Sequence, residues 1–135
     1  METYSKHVQY SELKIHLLAS SANLAPKILS VEICEDHWII TIERYPTTLF
    51  DHPYVEWEKW REQILHLFKE LHEIRILHGD ISEENIVVDS ENNRVALIDF
   101  GMSRLIFEND SMNQEEFCNE IKEINFMFDS AGNMI

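Results

Sequence analysis

Glycine is almost missing from this chain: its 135 residues include three, at positions 79, 101 and 132. That spacing cannot make a Gly-x-Gly-x-x-Gly turn, so a glycine-rich loop cradling phosphates is excluded from these residues. Cysteine is as scarce, with Cys34 and Cys118 alone, which rules out a disulfide framework and a cysteine-based metal site. Both lie among apolar residues and are expected as reduced core thiols of a cytosolic or nuclear protein. Positive charge is short as well: 11 Lys and Arg stand against 25 Asp and Glu, a formal net charge of −14. Such a surface repels a phosphate backbone, so no direct nucleic-acid partner is expected. The clearest apolar run, Trp38–Ile42, has five residues including a threonine, where a membrane helix needs about 20, so no membrane span is expected. The opening METYSKHVQY has no apolar core of a secretory signal.

What is present describes one α+β domain, 44% hydrophobic and 27% charged. From Tyr10 to Asn23, Leu13, Leu17 and Leu18 with Ile15 beside them predict a short amphipathic helix, with Ser11 as N-cap and Ala25-Pro26 as its stop. Two strands are expected at Lys27–Ile33 and His37–Glu43, joined by a turn at Glu35-Asp36. The strongest signal is a helix over 55–75, where Trp57, Trp60, Ile64, Leu67, Phe68, Leu71 and Ile74 recur at steps of three and four. Two short strands, Asn85–Val88 and Arg94–Ile98, flank the turn segment Asp89–Asn93. A last helix over Asn113–Phe128 should bury Phe117, Ile121, Ile124 and Phe128. Residues 108–135 carry seven carboxylates and one lysine, and this acidic face is expected to be solvated.

Polar residues cluster at both ends of the short hairpin. His78-Gly79-Asp80-Ile81-Ser82-Glu83-Glu84-Asn85 runs into it, and Ile98-Asp99-Phe100-Gly101 leads out. An antiparallel hairpin returns the chain beside its start, so Asn85 and Asp99 should be close, with Asp80 one loop away. Two carboxylates and an amide oxygen converging at a strand end suit a hard cation such as magnesium. A further acid nearby could orient a hydroxyl for attack on a phosphoryl group. With so much negative charge, a nucleotide would bind through a divalent cation.

The order His-x-Asp-x-x-x-x-Asn followed by Asp-Phe-Gly resembles the catalytic and metal loops of the protein-kinase superfamily. The resemblance implies Asp80 as catalytic residue, Asn85 and Asp99 as ligands of magnesium or manganese, and ATP as co-substrate. Ser82 stands where the usual catalytic-loop lysine would be and is placed with the nucleotide-binding residues. His-Gly-Asp, with Gly79 in place of arginine, is similar to the small atypical kinase of the threonylcarbamoyl-tRNA (KEOPS) complex and to aminoglycoside and choline kinases. The helix containing Glu12 resembles the regulatory helix of the N-lobe, with Glu12 at its ion-pair position. Glu43-Arg44-Tyr45 resembles the hinge that holds an adenine. The implied architecture is a kinase-like fold with a vestigial N-lobe of a helix and two strands plus hinge, residues 1–45, and a reduced C-lobe, residues 46–135. His78 and Phe100 should pack beneath the loops.

One expected part is missing on this reading. Lys6 is the sole lysine before Glu12, and six residues look too few for the superfamily's strand-then-helix layout, so no phosphate-clamping lysine is expected. The sheet at 27–43 should then have an open edge that invites self-association or a protein partner. Three functions fit: an ATP- and magnesium-dependent phosphotransferase acting on a hydroxyl, a pseudokinase that binds as a kinase mimic, or one subunit of an assembly that completes the nucleotide site in trans.

Overall fold

The computed structural model describes residues 2–107 and 111–135. Its first element is a strand that sequence periodicity does not reveal. In β1 (Thr3–Val8) only Val8 is buried, so no apolar alternation marks it. It forms because its backbone completes an antiparallel ladder with β3 (Trp38–Glu43), from Thr3 opposite Glu43 to Val8 opposite Trp38. On the other side of β3 lies β2 (Ile28–Ile33), giving a three-stranded sheet in the order β1-β3-β2. The small lobe therefore has three strands where two were expected, and both edges of β3 are paired within the chain.

Helix α1 (Tyr10–Ser21) follows β1 directly, with Gln9 rather than Ser11 at its N-cap and no side-chain cap. Its buried face also departs from expectation. Leu17 and Leu18 are 43% and 42% exposed, while Leu13, Ile15, His16 and Ala19 are buried. The helix is shared between two cores. Leu13 joins Val8, Ile40 and Ile42 under the sheet, whereas Ile15 and Ala19 enter the larger core below. A helix wedged between two layers needs polar residues on its buried side wherever it passes the site between them, and Glu12 and His16 take those places.

The large core is built on α2 (Tyr54–Glu73), whose Trp57, Trp60, Ile64, Leu67, Phe68 and Leu71 are buried as the periodicity predicts. Ile74 caps the helix and is exposed. A short strand pair, β4 (Thr47–Thr48) and β6 (Ile86–Asp89), extends to β7 (Arg94–Leu97), the return strand of the hairpin. Beside it, β5 (Ile76–Leu77) pairs with β8 (Arg104–Leu105). Helix α3 (Ser111–Gly132) runs antiparallel to α2: Arg61 meets Asp129 at 2.9 Å near one end, and His72 meets Glu120 at 2.7 Å near the other. Ile124 and Phe128 of α3 close the core. Cys34 is half-buried and Cys118 exposed, so neither is a core thiol; Cys118 lies on the outer side of α3.

Phe68 (1% exposed) touches the centre of this core, whereas Phe126 on α3 is 73% exposed. Phe68→Ala should lower unfolding free energy by about 3–5 kcal/mol, and Phe126→Ala by less than about 0.5 kcal/mol. Urea unfolding followed by tryptophan fluorescence measures both; equal losses would disprove this core assignment.

Candidate active site

Backbone conformation shapes both loops. Gly79 has φ +83°, and a Cβ there would fall inside contact distance of the Met102 carbonyl. No arginine, or any other side chain, fits this loop as it is folded, which gives the His-Gly-Asp sequence a steric reason. Asp99 adopts φ +62°, a left-handed conformation rare for a residue with a side chain, and the Gly101 amide donates to its Oδ1 at 3.4 Å. His78 is buried beneath the loop. It donates from Nε2 to the Ile98 carbonyl (2.8 Å) and accepts the Asp80 amide at Nδ1 (3.2 Å), which fixes the orientation of its ring.

The hairpin brings the polar ends together. The Ile98 amide donates to the Asn85 carbonyl at 3.0 Å, and the side chains of Asn85 and Asp99 line one cavity of about 150 Å³. Asn85 donates from Nδ2 to the carbonyl of Asp80 (3.0 Å) and to its Oδ2 (3.2 Å). This steadies Asp80 and leaves Asn85 Oδ1 available as an acceptor. Asn85 and Asp99 thus present hard oxygen donors suited to magnesium. Among the described residues no group of three or more His, Cys, Asp or Glu forms a self-sufficient metal cage. A two-ligand site of this kind suits a cation that also binds substrate phosphates.

Lys6 corrects the sequence reading. The strand turns into α1 within a few residues, and Lys6 Nζ lies 2.5 Å from Glu12 Oε2, with both side chains largely buried. Lys6 lines the same cavity as Asn85 and Asp99, together with His16. The spacing that looked too short suffices because β1 runs straight into the helix through Gln9. Glu12 also reaches the Asp99 loop: a Cβ on Gly101 would stand 3.5 Å from Glu12 Oε1 and 3.3 Å from Asp99 Oδ1. His16 donates to the Pro26 carbonyl, and burial, reinforced by the charge of Lys6, lowers its pKa below the ordinary value. It therefore adds no second cation beside Lys6.

A second cavity of about 200 Å³ adjoins the first, sharing Tyr4, Ile42 and Ile98 and ending at Glu43 and Tyr45. The two form one cleft between the lobes. At the hinge, the Glu43 and Arg44 amides already donate to the Lys27 and Glu2 carbonyls, so Tyr45 offers the hinge amide with no partner among the described residues. The Glu43 carboxylate faces inward and meets Arg94 at 3.4 Å. Arg94 also binds Asp89 at 3.1 Å and lies 4.4 Å over the Tyr45 ring, tying the hinge to the hairpin. Ser82 is outside the cleft. Its hydroxyl accepts the Glu84 amide at 3.1 Å, so it stabilises the loop turn, and it lines neither cavity.

One residue was missed altogether. Glu120 was expected on a solvated face, yet it is 5% exposed. It accepts from the His78 amide (3.0 Å), the Gly79 amide (2.9 Å) and His72 Nε2 (2.7 Å). Its signal was positional: Glu120 falls three residues after Phe117 and four before Ile124, on the apolar stripe. A column of rings runs through the same region. His16 contacts Phe100, Phe100 contacts His78, His78 contacts Phe68, and Phe68 contacts His72, with centroids 5.3–6.5 Å apart. It links α1, both loops and α2.

The cleft lies between a strand-and-helix lobe and a helical lobe, with a lysine–glutamate pair above and two polar loops below, a two-lobed architecture. The Protein kinase domain family matches residues 4–129, and the chain belongs to that family. Among known proteins, the chain is 38% identical over 65 residues to the probable serine/threonine-protein kinase fnkB of Dictyostelium discoideum. It is 40% identical over 55 residues to the probable serine/threonine-protein kinase ireA of the same organism. These matches take in 47% and 38% of this chain, and 12% and 6% of those much longer proteins. The fold is that of the Cydia pomonella granulovirus kinase PK-1, with a TM-score of 0.62 and 20% identity over 80% of this chain and 45% of that one.

Burial alone would raise the Glu120 pKa, but the bonds from His72, Gly79 and His78 outweigh it and hold the carboxyl below its ordinary 4.5. A depressed carboxyl contributes stability above its unfolded pKa and loses it as pH falls through the folded value. Unfolding free energy should therefore drop below about pH 4.5, and Glu120→Gln should lack that component while losing about 2 kcal/mol at pH 7. Denaturant titrations of both proteins between pH 3 and 7 test this; parallel profiles would disprove it.

Proposed function

We propose that this chain is an ATP- and magnesium-dependent phosphotransferase acting on a hydroxyl group. The observation that carries the proposal is that Lys6, paired with Glu12, faces Asn85 and Asp99 across one cleft. In this reading the adenine enters the hinge cavity beneath Tyr4 and Ile42, near the Tyr45 amide and the Glu43 carbonyl. Lys6 meets the phosphates, and Glu12 fixes its position and extended conformation. Asn85 and Asp99 would hold the divalent cation, magnesium or manganese, which when bound neutralises phosphate charge. Asp80, steadied by Asn85, accepts the proton of the attacking hydroxyl. Most of the catalytic effect expected of such a site is positioning and charge neutralisation.

The presence of Lys6 with Asp80, Asn85 and Asp99 favours chemistry over a pseudokinase that acts by mimicry. A second reading, in which a partner completes the cleft, draws on β1. This strand carries Lys6 and is an end strand of its sheet, so a further strand pair could add beside it.

Calorimetry should detect ATP binding in magnesium and little in EDTA, with Asp99→Asn weakening the magnesium-dependent part by about tenfold. Lys6→Met should weaken nucleotide binding as well. Asp80→Asn should leave affinity nearly unchanged and cut turnover by about 100-fold or more. Equal binding with and without magnesium would refute the metal assignment. Turnover that persists at full rate in Asp80→Asn would place the activity elsewhere.

A further inference from the structure

Two aromatic rings line the hinge cavity, Tyr4 from β1 and Tyr45 from the hinge itself. Tyr45 is engaged, because the Arg94 guanidinium lies 4.4 Å over its ring. Tyr4 takes part in no ring stack, cation contact or side-chain hydrogen bond among the described residues, and it is 50% exposed. A ring left half open beside a concave apolar surface retains burial for a flat ligand to complete.

The place of Tyr4 in the cleft decides which part of a ligand it meets. It pairs with Ile42 across the β1–β3 ladder, and both residues line the hinge cavity as well as the cavity of Asn85 and Asp99. Val87 and Ile98 line the hinge cavity from the large lobe, so a planar group entering it meets aliphatic side chains on that side and the Tyr4 ring on the other. Tyr4 and Lys6 are alternate residues of β1, so their side chains leave the same face, about 7 Å apart along the strand. With Lys6 at the phosphates, Tyr4 falls on the hinge side of it, at the base. Aliphatic contacts bury a base without orienting its plane; an aromatic ring adds stacking, which is available to any base.

We propose that Tyr4 is a base-stacking residue: its ring lies on the nucleobase and holds it against Val87 and Ile98 while the hinge meets the base edge. The proposal rests on the phosphotransferase reading for the ligand being a nucleotide. It adds that the base is gripped from the strand that carries Lys6. Base and phosphates are then held by alternate residues of one strand, with no glycine-rich turn among these residues to cover them.

Adenosine in EDTA is the probe, because it tests the base site without phosphate or metal. Proton NMR of adenosine with the full chain should show the adenine H2 and H8 signals displaced upfield on binding, as the ring current of a stacked aromatic side chain requires. Tyr4→Leu, which keeps apolar bulk but no ring, should weaken adenosine binding at least about fivefold and remove most of that displacement. Tyr4→Phe should restore both. Because Tyr4 is half exposed, Tyr4→Leu should unfold at the same urea concentration as the parent, which separates lost stacking from lost folding. Tyr4→Leu that binds adenosine as tightly, or more tightly because the ring stood in the way, overturns the proposal. So does binding without upfield displacement, or no binding of adenosine at millimolar concentration. Tyr4-dependent adenosine binding in a protein that gains nothing from triphosphate and magnesium would leave the stacking role standing and overturn the phosphotransferase reading instead. Turnover of ATP with an unchanged KM in Tyr4→Leu would do the reverse.

Discussion

The carboxylate of Glu120 is the constraint on which the lower half of the cleft depends. A loop that turns through a left-handed glycine exposes its amides on the inside of the bend, and two of them, from His78 and Gly79, converge on this one side chain. Leaving both donors unpaired in a buried position would cost more than their hydrogen bonds return, so an anion at this point is what allows the loop to fold inward. His72 supplies the third bond and brings α2 into the arrangement. Because Glu120 sits on α3 and His72 on α2, helix packing and loop geometry are one problem. The same packing orients His78, whose amide-accepting nitrogen in turn fixes the backbone of Asp80.

The upper half of the cleft depends on a comparable arrangement. β1 contributes almost nothing to a hydrophobic core, but it delivers Lys6 to Glu12 and, through Val8, pins the start of α1 to the sheet. The ring column from His16 to His72 then connects this helix to both loops and to α2. Aromatic contacts of this kind tolerate small tilts but not the loss of a member, so movement of α1 would be felt at Phe100 and hence beside Asp99. The Arg94 bonds to Glu43 and Asp89, with the stacked Tyr45, play the corresponding part at the hinge. The two lobes are thereby coupled at the front by rings and at the back by charge.

The acidity of the chain is distributed according to this architecture. The carboxylates inside the described structure are paired: Glu12 is ion-paired with Lys6, Glu120 accepts from two amides and a histidine, and Glu43 and Asp89 share Arg94. Exposed carboxylates such as Glu32, Glu58 and Glu73 set the field of the outer surface.

Much of this was legible in the residues themselves. The six-residue span from Asp80 to Asn85, the Asp-Phe-Gly after the hairpin, and the stripe of α2 are local patterns, and local geometry is enough to predict helices, a hairpin and the meeting of Asn85 with Asp99. Other features were not legible because their cause lies far away in the chain. β1 exists by virtue of β3, thirty-odd residues on in the ladder register, so nothing in Thr3–Val8 alone declares a strand or makes Lys6 a partner of Glu12. The buried face of α1 was misread because the helix passes a polar cavity, where Glu12 and His16 stand in place of the Leu or Ile of a hydrophobic pattern. Glu120 looked like one acid among seven, and Ser82 like a loop side chain directed at the nucleotide. The sequence by itself determined which chemical groups are available and in what local order. Tertiary structure decided which charges are buried and paired, because desolvation and hydrogen-bond partners are properties of the assembled layers and not of any single segment.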